Sequence, residues 1–232
     1  MKTRNIFASI DVSDFITAYQ NELTAYYGVD VTSKYMNEQL ENVLISIKTG
    51  AKAVKKFGYY DIALLPSYTR LVSNKNSTIG YKVAKEDYEW INQATGELRL
   101  NNIYNLMISA DSGDEIIWWG HSIRPNSHIQ AIISDVHTPR QTSRPAAFIN
   151  FERKNIQFYY ASAAVNPTNL LDGVQVSTEQ AYCLKCNVNA SSGTKISYDI
   201  DIMLLSTSFS YNGSLISVPI AQLVVDPMIV IN

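Results

Sequence analysis

Residues 195–215, KISYDIDIMLLSTSFSYNGSL, decide the fold class. Ile196, Tyr198, Ile200, Ile202 and Leu204 lie on one side of a period-two repeat, and Ser197, Asp199 and Asp201 lie on the other. That alternation predicts a strand with one face in the core and one in water. Asn212-Gly213 follows before Leu215 opens another β-rich run. Both residues of the pair tolerate the positive φ of a type I′ turn, so the stretch predicts an antiparallel hairpin.

The same pattern extends toward the N-terminus. From about residue 60, short β-branched and aromatic runs alternate with turn residues at fairly regular spacing. Residues 88–92 and 97–100 flank Gln93-Ala94-Thr95-Gly96, and 104–110 and 115–123 flank Asp111-Ser112-Gly113-Asp114. Residues 147–151 and 156–161 flank Glu152-Arg153-Lys154-Asn155. Each set reads as a hairpin. The proline-bounded, basic stretch 138–145, TPRQTSRP, reads as a mobile or partner-contacting loop.

Before residue 60 the period changes to 3.6. Ser13 is placed to cap a helix from Asp14 to about Tyr27, with Phe15, Tyr19, Leu23 and Tyr26 on one stripe and Gly28 as its stop. A longer amphipathic helix is expected over 33–57, with Met36, Leu40, Val43, Leu44, Ile47, Ala51 and Val54 on its apolar side and Gly58 at its end. The expected class is therefore α+β: N-terminal amphipathic helices over 1–58, then a mostly antiparallel β-sandwich or barrel-like body over 59–232.

Composition narrows the function classes. A chain of 232 residues buries roughly 70% of its unfolded surface and needs no metal or disulfide to hold it. Charged residues make up 17%, against about 25% in a typical soluble domain, which suits a surface partly covered by a partner. Fifteen tyrosines suit polar contact surfaces. A net charge of −2 gives no overall attraction to nucleic acid or anionic lipid. The apolar run from Ile6 to Ile10 is shorter than the roughly 7–15 residues of a signal-peptide core, and no window approaches the ~18 apolar residues of a membrane span. The sequons at Asn76, Asn189 and Asn212 then have no secretory context, and the two cysteines fit a reducing compartment.

Four constellations are candidate sites. The first is WWGHSIRPNSHIQAIISDVH, residues 118–137, which holds all three histidines. Read as a hairpin turning at Arg124-Pro125-Asn126-Ser127, it sets His121 and His128 on one face and His137 far from both. A three-histidine zinc site is thus not expected, because zinc ligands must converge within about 2.0–2.3 Å of one point. Asp135 and His137 share a face, but a catalytic dyad there lacks a nucleophile. The second is Cys183-Leu184-Lys185-Cys186. On a strand its thiols point to opposite faces, one buried and one exposed, unlike a redox or zinc CxxC.

The third is Lys48, Lys52, Lys55 and Lys56, a stripe beside the apolar face of the long helix that could touch DNA non-specifically. Glu38 and Glu41 at the other end give it a simpler role, complementing the helix dipole. The fourth is Trp90, Trp118 and Trp119, a candidate sugar-stacking platform. Trp118 and Trp119 must face opposite sides of a strand, so only one can enter the core. Asp199 with Asp201, and Asp111 with Asp114, are acidic pairs that read as solvated. Phosphate-loop, dinucleotide, nucleophile-elbow, zincin and EF-hand patterns do not occur in the sequence.

An amphipathic helical start, few charges, a β-rich body and no chemical centre resemble, in general organisation, the structural proteins of tailed-bacteriophage virions, such as the neck and tail ring proteins of short-tailed phages. The resemblance carries no diagnostic motif, so no functional residue follows from it. It implies a non-enzymatic head–tail connector or ring subunit, assembled in the host cytoplasm and homo-oligomeric. Its helix, the loop 138–145 and the C-terminal segment 218–232 would then contact neighbouring virion proteins. The sequence alone also permits a carbohydrate-binding β-sandwich module, or a hydrolase using His121 or His137. No cofactor, metal or membrane is called for.

Overall fold

A computed structural model of the chain describes residues 1–57, 68–74, 77–81, 106–122, 128–166, 168–169, 172–209 and 215–232. Among these residues the N-terminal elements are β1 (Thr3–Ile10), α1 (Val12–Tyr27), α2 (Glu38–Lys48) and β2 (Lys55–Phe57). The middle of the chain forms β3 (Thr69–Ser73), β4 (Thr78–Tyr81), β5 (Leu106–Ala110), β6 (Glu115–Ser122) and β7 (Ile129–His137). It closes with β8 (Phe148–Ala164), β9 (Val174–Val188), β10 (Lys195–Ser197), β11 (Asp199–Phe209), β12 (Leu215–Val225) and β13 (Met228–Ile231). The class is α+β, and strands dominate.

Three sheets share one core. Their strand orders are β3-β1-β6-β9-β8, β10-β13-β5-β4 and β2-β12-β11-β7. Most neighbours are antiparallel, but β1 with β6, β12 with β2 and β13 with β5 are parallel, so each sheet is mixed. β1 was not foreseen. Its inward positions Arg4, Ile6, Ala8 and Ile10 are all buried, and it sits between β3 and β6. The segment 1–58 is therefore not helical throughout. Glycine permits one close approach: a Cβ at Gly120 of β6 would collide with the carbonyl oxygen of Ala8, its partner on β1.

α1 begins two residues earlier than expected. Asp11, rather than Ser13, is the N-cap, and its carboxylate accepts from the N–H of Asp14 at 3.1 Å. Gly28 closes the helix in the left-handed region, as its position in the sequence predicted. The long second helix is corrected to α2, which starts at the Asn37 cap and ends at Lys48. Leu40, Leu44 and Ile47 keep their predicted inward face. Gly50 stands at φ 77°, where the chain leaves the helix, and Lys55–Phe57 becomes a strand parallel to β12. A lone Gly inside a helical pattern was here a stop signal.

The 195–215 hairpin forms, since β11 pairs antiparallel with β12 from Ile200↔Val225 to Phe209↔Leu215. The Asn212-Gly213 turn itself lies outside the described residues, as does the hairpin around 93–96. Ile196, Tyr198, Ile200, Ile202 and Leu204 are all buried, as the alternation required. Its other face is not uniformly wet, because Asp199 and Asp201 are only 8% and 9% exposed.

Three other turn expectations are corrected. β5 and β6 flank Asp111–Asp114 but belong to different sheets, so the turn joins two layers and no ladder spans it. β6 and β7 likewise separate, with residues 123–127 outside the described set. Glu152–Asn155 is no turn: it lies inside β8, paired with β9 from Glu152 to Ala161 between two register shifts. Charged residues are tolerated there because β8 is the outer strand of its sheet, where charge is a common guard. The C-terminal segment finds its cover within the chain, since Ile229 and Ile231 are buried and β13 lies between β10 and β5.

Candidate functional site

The densest group of ionisable side chains forms where β7 meets β11. The register sets His137 opposite Asp199 and Asp135 opposite Asp201, so three carboxylates and an imidazole share one patch. Like charges facing each other across a ladder repel, and each acid here has a cation. His137 Nε2 lies 3.1 Å from an Asp201 oxygen, and Nδ1 lies 3.0 Å from the carbonyl of Thr138 and 3.8 Å from Asp199. Arg144 and Arg153 hold the two oxygens of Asp135 at 3.1 and 3.0 Å. The main-chain N–H of Arg140 donates to Asp199 at 3.3 Å.

Both ring nitrogens of His137 face acceptors, an arrangement that favours the doubly protonated ring. Burial alone would lower its pKa. The hydrogen bonds to Thr138 and Asp201, with the two negative charges nearby, outweigh burial and raise it. Burial raises the pKa of Asp199, against the opposing pull of the Arg140 N–H and of His137.

This patch fastens the 138–145 stretch to the sheet. Thr138 and Ser143 close the loop on each other, Arg140 takes φ 59° to present its N–H to Asp199, and the Arg144 guanidinium stacks 3.9 Å from the Phe151 ring centre. The loop expected to be mobile is tethered at both ends. Asp135 and His137 form no dyad, because each has partners of its own. The Ser134 hydroxyl donates to the main-chain carbonyl of Asp201.

The other histidines are elsewhere. His121 is exposed, with Nδ1 3.2 Å from the Ser122 carbonyl and its ring edge-on to Phe7. His128 Nε2 lies 2.6 Å from the carbonyl of Thr32, tying the start of β7 to the segment after α1. The expected His121 and His128 pair across a ladder is replaced by these separate contacts. Among the described residues no group of three or more His, Cys, Asp and Glu side chains is arranged to hold a metal ion.

The lysine stripe is broken by the end of α2. Lys48 ends the helix, while Lys55 and Lys56 lie on β2. Lys52 donates to the Tyr27 carbonyl at 3.0 Å, and Lys55 pairs with Glu22 at 2.8 Å. Both ammonium groups lie over the Tyr26 ring, at 5.7 and 5.5 Å. Tyr27 donates to the carbonyl of Ile220, accepts from the N–H of Lys55, and is pushed up to about 12 by burial.

The CxxC lies on strand β9 with its thiols on opposite faces, but both are buried. The second face is shielded too, because the cross-strand neighbours of Cys183 are Trp119 and Lys154. Burial pushes the Cys186 thiol up to about 12 and raises Cys183 as well. Neither is poised as a nucleophile. Trp118 is in the core, where its indole N–H donates to the buried Tyr198 hydroxyl at 3.2 Å, and Trp119 packs on Phe7 at 4.6 Å. Trp90 lies outside the described residues.

One polar cluster had no signal in local periodicity. Arg4 (6% exposed) and Asp114 (1% exposed) form an ion pair at 2.9 Å, with the Ser77 hydroxyl accepting from the guanidinium and the Lys2 N–H donating to Asp114. Burial would raise the Asp114 pKa, but the Lys2 and Asp111 N–H groups and Arg4 together lower it. Asp114 is thus not solvated, whereas Asp111 beside it stays half-exposed, as expected of a surface carboxylate. Asp111 also accepts from the Asn232 amide, so this cluster binds both ends of the chain to one turn.

No family model and no curated protein matches the sequence. Among solved structures, the inclusion body protein PixA from Burkholderia cenocepacia J2315 superposes over 100% of this chain and 96% of its own, with a TM-score of 0.51 at 13% identity. The chain shares its fold with an inclusion body protein. That finding overturns the likeness to tailed-bacteriophage virion proteins. The tail ring and head–tail connector roles and the virion location go with it. The carbohydrate-binding and hydrolase alternatives gain nothing from the fold, and Trp118, Trp119, His121 and His137 each have packing or hydrogen-bond partners within the chain.

Proposed function

We propose that this protein is a non-enzymatic structural subunit that self-associates, a building unit of protein inclusions in the cytoplasm. The observation that carries this reading is the end-to-end likeness of its fold to an inclusion body protein. Its densest polar clusters support it, since His137, Asp199, Asp201, Arg4 and Asp114 are each held by partners within the chain. The exposed apolar residues Val72 and Ile149, on the outer strands β3 and β8, offer contact surface. Sedimentation velocity over a hundredfold range of protein concentration tests the reading. Concentration-dependent growth into large particles is expected, and a single monomer boundary throughout would overturn it.

A further inference from the structure

His137 is the last residue of β7, and the 138–145 loop leaves the sheet directly from it. No residue from Thr138 to Ala147 is buried, so the loop has no core of its own. Polar contacts hold it instead, and a segment held that way opens at lower cost than a packed one. The His137 ring meets the Thr138 carbonyl at 3.0 Å, the Arg140 N–H donates to Asp199 at 3.3 Å, and Arg144 donates to Asp135 at 3.1 Å. The Thr138 carbonyl also accepts from the Gln141 N–H at 2.9 Å, and the Thr138 N–H donates to Ser143 at 2.8 Å. A change at His137 is therefore felt by the whole turn.

Among the described residues the ring faces Asp199 and Asp201 on β11, and Asp135 lies two positions before it on β7. Arg153 on β8 and Arg144 in the loop hold Asp135, and the Arg140 guanidinium acts on Asp199. A protonated ring serves both β11 carboxylates and the Thr138 carbonyl together. A neutral ring has one donor, so it must turn a lone pair either on that carbonyl or on Asp201. In both cases Asp199 and Asp201, whose side chains are only 12% exposed, lose the cation beside them, and water becomes their source of solvation. Closure also holds Arg140 at φ 59°, a conformation that is costly for a residue with a Cβ and is offset while Asp199 holds its N–H. Opening the loop relieves both.

We propose that His137 is a proton-operated latch: with its ring protonated the 138–145 loop lies closed on Asp199, and loss of the proton releases the loop and opens Asp199 and Asp201 to water. Burial lowers the His137 pKa, but the Thr138 carbonyl and the two carboxylates outweigh it and raise the pKa overall. The loop is thus closed below the ordinary value of about 6.5 and opens as pH rises through the higher folded value. The sheets stay in place, because Val136, Ile200 and Ile202 beside the latch are buried in the shared core. The inference is independent of the assembly reading.

A spin label on Thr142→Cys, an exposed loop position, reads the latch directly, and the two native thiols, both buried, do not take the label. Its spectrum should pass from immobile to mobile between about pH 6 and about pH 9, while a label on Ser192→Cys, on an exposed turn elsewhere, keeps one line shape. With His137→Gln, which cannot carry the ring charge, the loop label should already be mobile at about pH 6 and insensitive to pH. Asp201→Asn keeps an acceptor but removes a charge, so it should lower the midpoint of the change by about one pH unit, and it decides the matter if His137→Gln does not fold. A loop label whose mobility does not change with pH, a response that survives His137→Gln, or a midpoint unmoved by Asp201→Asn would each overturn the latch.

Discussion

His137 shows how a single side chain can set the pH response of the fold. Its pKa is raised in the folded state, so its contribution is fully present below its unfolded value of about 6.5 and is lost as pH rises through the folded value. His137→Gln keeps one donor but no charge. Charged hydrogen bonds contribute about 1.5–3 kcal/mol each, so the variant should be less stable by about that much near pH 6. The difference should shrink steadily toward pH 9 in urea titrations compared at each pH, and a pH-independent difference would show that the imidazolium is not what matters. Gly120 is a second point where one atom decides. Gly120→Ala forces β6 away from the Ala8 carbonyl and should cost about 1–3 kcal/mol by the same titration.

At the scale of elements, the sequence was readable wherever a periodicity ran without competition. α1, the inward face of α2 and the β11–β12 hairpin all followed from spacing, because one face of each is core and the other is not. Pairing was less readable. Asp111–Asp114 has hairpin chemistry, but its second aspartate turns inward to meet Arg4, more than a hundred residues earlier, and β5 and β6 enter different sheets. No local window contains both partners. The same long range hid the site: Asp199 and Asp201 sit on the nominally wet face of their strand, and only the β7 register supplies the histidine that makes their burial tolerable. The ion pair gives an element-scale prediction. Removing one partner of a buried pair leaves an uncompensated charge and costs about 3–5 kcal/mol. Arg4→Met should therefore be strongly destabilising, and adding Asp114→Asn should recover part of the loss in a double-mutant cycle of denaturation midpoints. Strictly additive losses would mean that the two side chains are not coupled.

At the scale of the whole molecule, β9 reports on cooperativity. It lies between β6 and β8, and its two thiols point to opposite faces of the sheet, Cys186 into the shared core and Cys183 beneath the Trp119 layer. Each is fully buried, and burial holds each thiol's pKa above its ordinary value, so neither reacts from the native surface. If the sheets unfold as one unit, both thiols become reachable only through global opening. Labelling with a thiol reagent at neutral pH should then proceed at one common rate for Cys183 and Cys186, measured separately in the Cys183→Ser and Cys186→Ser proteins. That rate should rise with urea along the global unfolding free energy. Faster labelling of Cys183 would mean that the outer layer of Phe7 and Trp119 lifts by itself while the core stays closed.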